Sequence, residues 1–74
     1  MHELGVVRDV LKRASESATI EGGQLVSLRV RIGNLSGVDP GFFRDQLSLL
    51  APDVDLAIEP ADDQRVSLVS VKVR

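Results

Sequence analysis

The chain has 74 residues, of which 9 are basic and 11 acidic, with a formal net charge of −2 and no cysteine. A chain of this length forms one small domain that buries only roughly 60% of its unfolded surface. Without cysteine it forms no disulfide, and one histidine cannot complete a structural zinc site, so zinc is not expected. The charges are dispersed and no apolar run approaches the length of a membrane span, which argues against nucleic-acid and membrane binding. Residues 1–20 are charged throughout, unlike a signal peptide, and we expect a cytoplasmic protein.

The first predicted element is an amphipathic helix over residues 3–20. Its apolar residues recur at helical spacing and form one stripe, which Val6 and Val10 widen. The stripe consists of Leu4, Val7, Leu11, Ala14 and Ala18. Most charged residues lie off this stripe, as is typical of a solvated helix face. Gly22 and Gly23 then supply the backbone freedom that ends the helix.

A strand over Leu25–Ile32, a glycine-rich loop and a second helix from about Pro40 to Leu50 follow. The strand alternates apolar and polar residues, a period of two that predicts a half-buried strand. The apolar set on one face is Val26, Leu28, Val30 and Ile32. Asp39 is expected to cap the second helix, because its carboxylate accepts from free helix amides and Pro40 has no amide to satisfy.

Two further strands are predicted over Asp55–Glu59 and Gln64–Arg74, with a turn between them. In the last strand, Val66 and Leu68 lie on one face while Val71 and Val73 lie on the other by strict alternation. A β-bulge near Val69 and Ser70 would insert one unpaired residue and bring all four apolar residues to the buried face. We therefore predict that bulge.

The resulting order α-β-α-β-β predicts an α+β fold with two helices packed on one face of a three-stranded sheet. The opposite face meets water. Arg29 and Arg31 lie on that face and are expected to pair across strands with Asp55 or Glu59. Each such pair contributes roughly 0.2–1 kcal/mol.

The N-terminus offers an unusual concentration of metal donors. Met1, His2 and Glu3 supply an amine, a backbone amide, an imidazole and a carboxylate, and a planar nitrogen and oxygen set suits Ni(II) or Cu(II). The alternative is a frayed end with an incidental histidine. Asp39 could join as a ligand if its loop folds toward the N-terminus, although local sequence favours the helix cap. No catalytic set is present in the sequence, so an enzyme is not expected.

Two motifs together resemble a known family. The letters MHEL at residues 1–4 and IGNLSGVDP at residues 32–40 resemble the HypA/HybF family of hydrogenase nickel-incorporation proteins, and residues 65–74 resemble that family's last strand. The resemblance implies one nickel-binding domain over residues 1–74, with Ni(II) held by Met1, His2, Glu3 and Asp39. It also implies delivery of nickel to the large subunit of a [NiFe]-hydrogenase, with a nickel-handling GTPase as partner.

The chain departs from the family between its last two strands. There the family carries a zinc module with two CxxC pairs, whereas here a turn near residues 60–64 is expected to close the gap as a short hairpin. Two hypotheses remain open. The first is a nickel metallochaperone-type domain, and the second is a degenerate HypA-like protein-interaction module without metal delivery, which binds a partner or a second copy. A homodimer is left open by the second hypothesis.

Overall fold

The computed structural model of the chain describes residues 3–74. Its elements are α1 (Glu3–Ile20), β1 (Leu25–Gly33), α2 (Pro40–Leu50), β2 (Asp55–Ala61) and β3 (Val66–Val73). The predicted order α-β-α-β-β and the α+β class are therefore confirmed. No helix in the described part of the chain has both the length and the apolar character needed to cross a membrane.

The three strands form one sheet in the order β2-β1-β3. β1 lies at the centre, pairs parallel with β2 and pairs antiparallel with β3. The prediction of a hairpin between the last two strands is therefore wrong, because residues 62–65 instead cross the end of β1.

β1 contributes the buried hydrophobic residues of the sheet, Leu28, Val30 and Ile32, since its central position covers both of its edges. Pro60 belongs to β2 rather than to a turn, which an edge strand tolerates.

One core lies between the two helices and one face of the sheet. Its fully buried members are Val7, Val10 and Ala14 of α1, Leu28, Val30 and Ile32 of β1, and Phe43 and Leu47 of α2. Half-buried apolar residues of β2 and β3 pack against this cluster. Arg29 and Arg31 are exposed on the other face of β1. The predicted arrangement of helices on one face is the one observed.

The bulge predicted in the last strand is present. Arg29 pairs with Ser70 and Val30 pairs with Leu68, so Val69 has no partner on β1. Val69 is 42% exposed. The four apolar residues that the bulge was expected to align are all half-buried: Val66, Leu68, Val71 and Val73.

A second irregularity lies near the start of β1 and was not predicted. Leu25 pairs with Val73 and Ser27 pairs with Lys72, which leaves Val26 as the extra residue. Leu25 consequently packs against the core, and the expectation that Val26 occupies that face is wrong. Two adjacent apolar residues carry no alternation signal that would locate such a bulge.

Candidate metal site

The loop after β1 brings the beginnings of the two helices together. The backbone amide of Asp39 donates to Glu3 Oε1 at 3.3 Å, although the two residues are 36 positions apart. Glu3 is half-buried in the first turn of α1, and Asp39 is exposed at the start of α2. Two of the four residues named as metal ligands are therefore neighbours. Met1 and His2 lie outside the described residues.

Asp39 caps α2 in the predicted manner. Its backbone is extended, with φ −80° and ψ 120°, and its Oδ1 accepts from the amide of Gly41 at 3.3 Å. Its carbonyl oxygen accepts from the amide of Phe43 at 2.9 Å, which is the first bond of the helix. Among residues 3–74, no hydrogen bond engages the second carboxylate oxygen, Oδ2.

Local hydrogen bonds shape the loop between Gly33 and Asp39. The amide of Ser36 donates to the carbonyl of Gly33 at 3.1 Å, and the amide of Val38 donates to Ser36 Oγ at 3.2 Å. Gly37 has φ +80°, a conformation that favours glycine. Val38 packs against the core and anchors the end of the loop next to the helix cap.

The crossing segment, residues 62–65, and Ala61 at the end of β2 hold the beginning of the same loop. Three backbone amides donate to their carbonyl oxygens: Gly33 to Arg65 at 2.8 Å, Asn34 to Ala61 at 2.8 Å, and Leu35 to Asp63 at 3.0 Å. The side chain of Asn34 adds a fourth bond, from Nδ2 to Asp62 Oδ1 at 2.8 Å. The segment is in turn shaped by the amide of Arg65, which donates to Asp63 Oδ1 at 2.9 Å.

Gly33 is required where the two segments meet. A Cβ atom at this position would overlap the backbone carbonyl and the carboxylate of Asp63. The glycine in the IGNLSG motif therefore has a steric explanation in this chain, independent of any ligand. The crossing segment can approach β1 closely enough for backbone hydrogen bonds because Gly33 has no side chain.

The donors present fit a partial nickel shell. The carboxylates of Glu3 and Asp39 are oxygen donors, and a nitrogen and oxygen set is one that Ni(II) accepts. Residues 3–74 contain no cluster of three or more His, Cys, Asp or Glu side chains that could hold a metal ion. A complete site at this position therefore needs donors from Met1 and His2, which directly precede α1.

The open face of the sheet carries the expected ion pairs. Arg29 Nη1 lies 3.2 Å from Glu59 Oε2, and Arg31 Nη2 lies 3.4 Å from Glu59 Oε1. Glu59 thus pairs with both arginines, and no ion pair in residues 3–74 involves the alternative partner, Asp55. Both arginine side chains are about half exposed, so these ion pairs add little to the stability of the fold.

A groove of about 610 Å³ opens beside the candidate site. Its lining includes the apolar side chains of Val6, Val10, Val38 and Val66, with Asp9 and Arg65 among its charged residues. Asp9 is paired with Arg13 at 3.1 Å. No single stretch of the sequence predicts this groove, because its lining comes from α1, the loop, the crossing segment and β3.

Comparison of the chain with protein-family models, with curated proteins and with solved structures gave no match. The resemblance to the HypA/HybF family therefore rests on the motifs at residues 1–4 and 32–40 and on the last strand.

Proposed function

We propose that this chain is a nickel-binding, metallochaperone-type domain that captures Ni(II) with Met1, His2, Glu3 and Asp39. The observation that supports this best is the hydrogen bond from the Asp39 amide to Glu3 Oε1. It draws the loop that ends in Asp39 to the first turn of α1, where residues 1 and 2 join the described chain. Glu3 and Asp39 are therefore neighbours, and Met1 and His2 directly precede Glu3 in the sequence.

Each ligand would have a distinct part in capture. The Met1 amine and the His2 imidazole and amide would supply nitrogen donors, and the carboxylates of Glu3 and Asp39 would supply oxygen. Both carboxylates lie at helix N-termini, whose partial positive charge opposes a cation. The two negative charges offset that opposition. Because Asp39 is exposed, a metal bound there would lie at the surface, from which it could be released.

The domain would act as a carrier rather than as an enzyme, since capture and release of Ni(II) make and break coordination bonds only. By its resemblance to the HypA/HybF family, its client would be the large subunit of a [NiFe]-hydrogenase, with a nickel-handling GTPase assisting. A cytoplasmic location follows from the same proposal.

The decisive experiment is a calorimetric titration of Ni(II) into protein with an unmodified N-terminus. Two variants accompany it: His2→Ala, and a chain extended by one residue before Met1. We expect stoichiometric binding that is lost in both variants, because the first removes the imidazole and the second displaces the amine. Binding that survives both changes would contradict the proposed site.

Binding should also weaken in acid. Metal and proton compete for the imidazole nitrogen of His2, and the pKa of an unperturbed imidazole is about 6.5. We therefore expect nickel affinity to fall as the pH drops from about 8 to about 5.5, across that titration. The same titrations at several pH values measure it, and an affinity that stays constant would argue against an imidazole ligand.

The groove beside the site favours a second candidate, a degenerate HypA-like interaction module without metal delivery. Its apolar lining and the exposed Val69 on edge strand β3 are surfaces that a protein partner or a second copy could cover. A folded protein that fails to bind nickel would support this candidate. Sedimentation equilibrium would then decide whether the partner is a second copy of the chain.

A further inference from the structure

A continuous set of contacts joins the crossing segment to the candidate metal site. At one end of the loop, Asn34 Nδ2 donates to Asp62 Oδ1 at 2.8 Å. At the other end, the amide of Asp39 donates to Glu3 Oε1 at 3.3 Å. Between them the loop has one turn closed by Gly33 and Ser36. Whatever fixes the beginning of this loop therefore also limits where Asp39 can lie.

The bond between Asn34 and Asp62 differs from the other contacts of the crossing segment. The other three bonds to the loop are backbone bonds, which use no side-chain donor or acceptor. This one depends on two specific side chains, a neutral donor and a charged acceptor, and bonds to a charged acceptor are stronger than neutral ones. Both residues are exposed, so the pair takes no part in the core. Its contribution is to hold the loop rather than to fill space.

We infer that Asn34 is a positioning residue for the proposed metal site, acting through Asp62. The pair fastens the beginning of the loop to the segment that joins β2 and β3. The fastened loop then places the Asp39 amide against the Glu3 carboxylate and keeps these two residues next to each other. The consequence for nickel rests on the proposed function, whereas the consequence for the loop does not.

Charge exchange within the pair tests this inference. Asn34→Asp puts a second carboxylate where the Asn34 amide group donates to Asp62, so the bond is replaced by repulsion. The double variant Asn34→Asp with Asp62→Asn restores a donor and an acceptor with their places exchanged, and it has the net charge of the original protein. Gln24→Glu is the matched control, since it adds the same charge at an exposed position before β1.

The first measurement is made without metal. Backbone ¹⁵N relaxation gives order parameters for residues 35–39, and thermal unfolding monitors the whole fold. We expect Asn34→Asp to lower these order parameters from about 0.85 to below about 0.6, and the double variant to restore them. The control should leave them unchanged. Unchanged order parameters in Asn34→Asp, or no recovery in the double variant, would overturn the inference.

The second measurement is nickel affinity, and its direction is informative. The extra negative charge of Asn34→Asp would by itself strengthen cation binding, as Gln24→Glu should do weakly. Loss of positioning predicts the opposite, an affinity lower by about tenfold, the scale of changes to residues that orient metal ligands. The double variant should recover it. If the original protein binds no nickel, the proposed function fails, while the metal-free order parameters still decide the role of Asn34.

Discussion

The two ends of the central strand are both closed by backbone hydrogen bonds, but the closing segments differ in how the chain holds them. Before β1, Gln24 and Arg74 exchange two backbone hydrogen bonds of 3.1 Å, and Gly23 lies against Arg74. After β1, three backbone bonds and the Asn34 side chain fasten the crossing segment, and Gly33 lies against Asp63. Arg74 follows the end of β3, whereas Asp63 lies between two strands that are both paired with β1.

This difference in how the two closing segments are held favours the end after β1 as the place for a metal site. A segment that lies between two paired strands is held from both sides, and we expect it to confine the loop that is bonded to it. The candidate ligands Glu3 and Asp39 lie at this end. The other end carries a bulge at Val26, and none of the proposed ligands lies near it in sequence.

The largest expected effect tests this difference directly, by substitution of the two glycines. Gly33→Ala would force a Cβ into the backbone and carboxylate of Asp63, which cannot withdraw without breaking the crossing. We expect a loss of about 3 kcal/mol in the free energy of unfolding. Gly23→Ala would bring a Cβ to 2.7 Å from the carbonyl oxygen of Arg74, a smaller overlap than at Gly33, and we expect a loss of about 1 kcal/mol. Urea denaturation measures both.

Gly41→Ala is the matched control for this pair. Gly41 lies in α2, and a Cβ built on it would meet no atom nearer than the Asp39 carboxylate oxygens at 3.8 Å. Alanine is the better helix former, so we expect this variant to be as stable as the original protein or more so. Equal losses for Gly33→Ala and Gly23→Ala would mean that the two ends are equally adaptable, contrary to the comparison.

An intermediate loss of stability is expected at two glycines where a side chain would strain the backbone conformation without meeting any neighbouring atom. Gly22 and Gly37 have φ +78° and +80°, and no atom lies within 4 Å of a Cβ built on either. Alanine at either position should cost about 1 kcal/mol, because only the backbone conformation is strained. Similar losses in urea denaturation would show that the crossing, rather than the turns, distinguishes the two ends. A much larger loss at Gly37 would instead assign the difference to the loop itself.

The features that depend on residues close together in the sequence were mostly predicted. Alternation in β1, the apolar stripe of α1 and the Asp39-Pro40 start of α2 each depend on a few neighbouring residues, and each is found. The bulge at Val69 was predictable because a strict alternation would have exposed two valines. Glu59 was predictable as a partner of Arg29 and Arg31 because these residues share one sheet face.

The parts that were missed depend on which strands are neighbours. A hairpin and a crossing are equally compatible with the residues near position 62, so the order β2-β1-β3 could not be read locally. The bond between Asn34 and Asp62 and the apolar groove follow from that order. The candidate site was predictable only in part. The family resemblance pointed to Glu3 and Asp39, but the contact between them depends on the path of the loop.

The smallest expected effect on stability concerns Asp39, where helix capping and metal binding can be separated. Asp39→Ala removes the acceptor for Gly41 and should cost about 1 kcal/mol. Asp39→Asn keeps a capping oxygen, because asparagine caps helices as well as aspartate does, and should cost only about a few tenths of a kcal/mol. Nickel affinity should fall in both variants, since asparagine lacks the carboxylate charge. Asp45→Asn, an equal charge change on the exposed side of α2, is the control and should change neither quantity appreciably. If Asp39→Asn binds nickel as tightly as the original protein, then Asp39 is a helix cap alone and the proposed site reduces to the N-terminal donors.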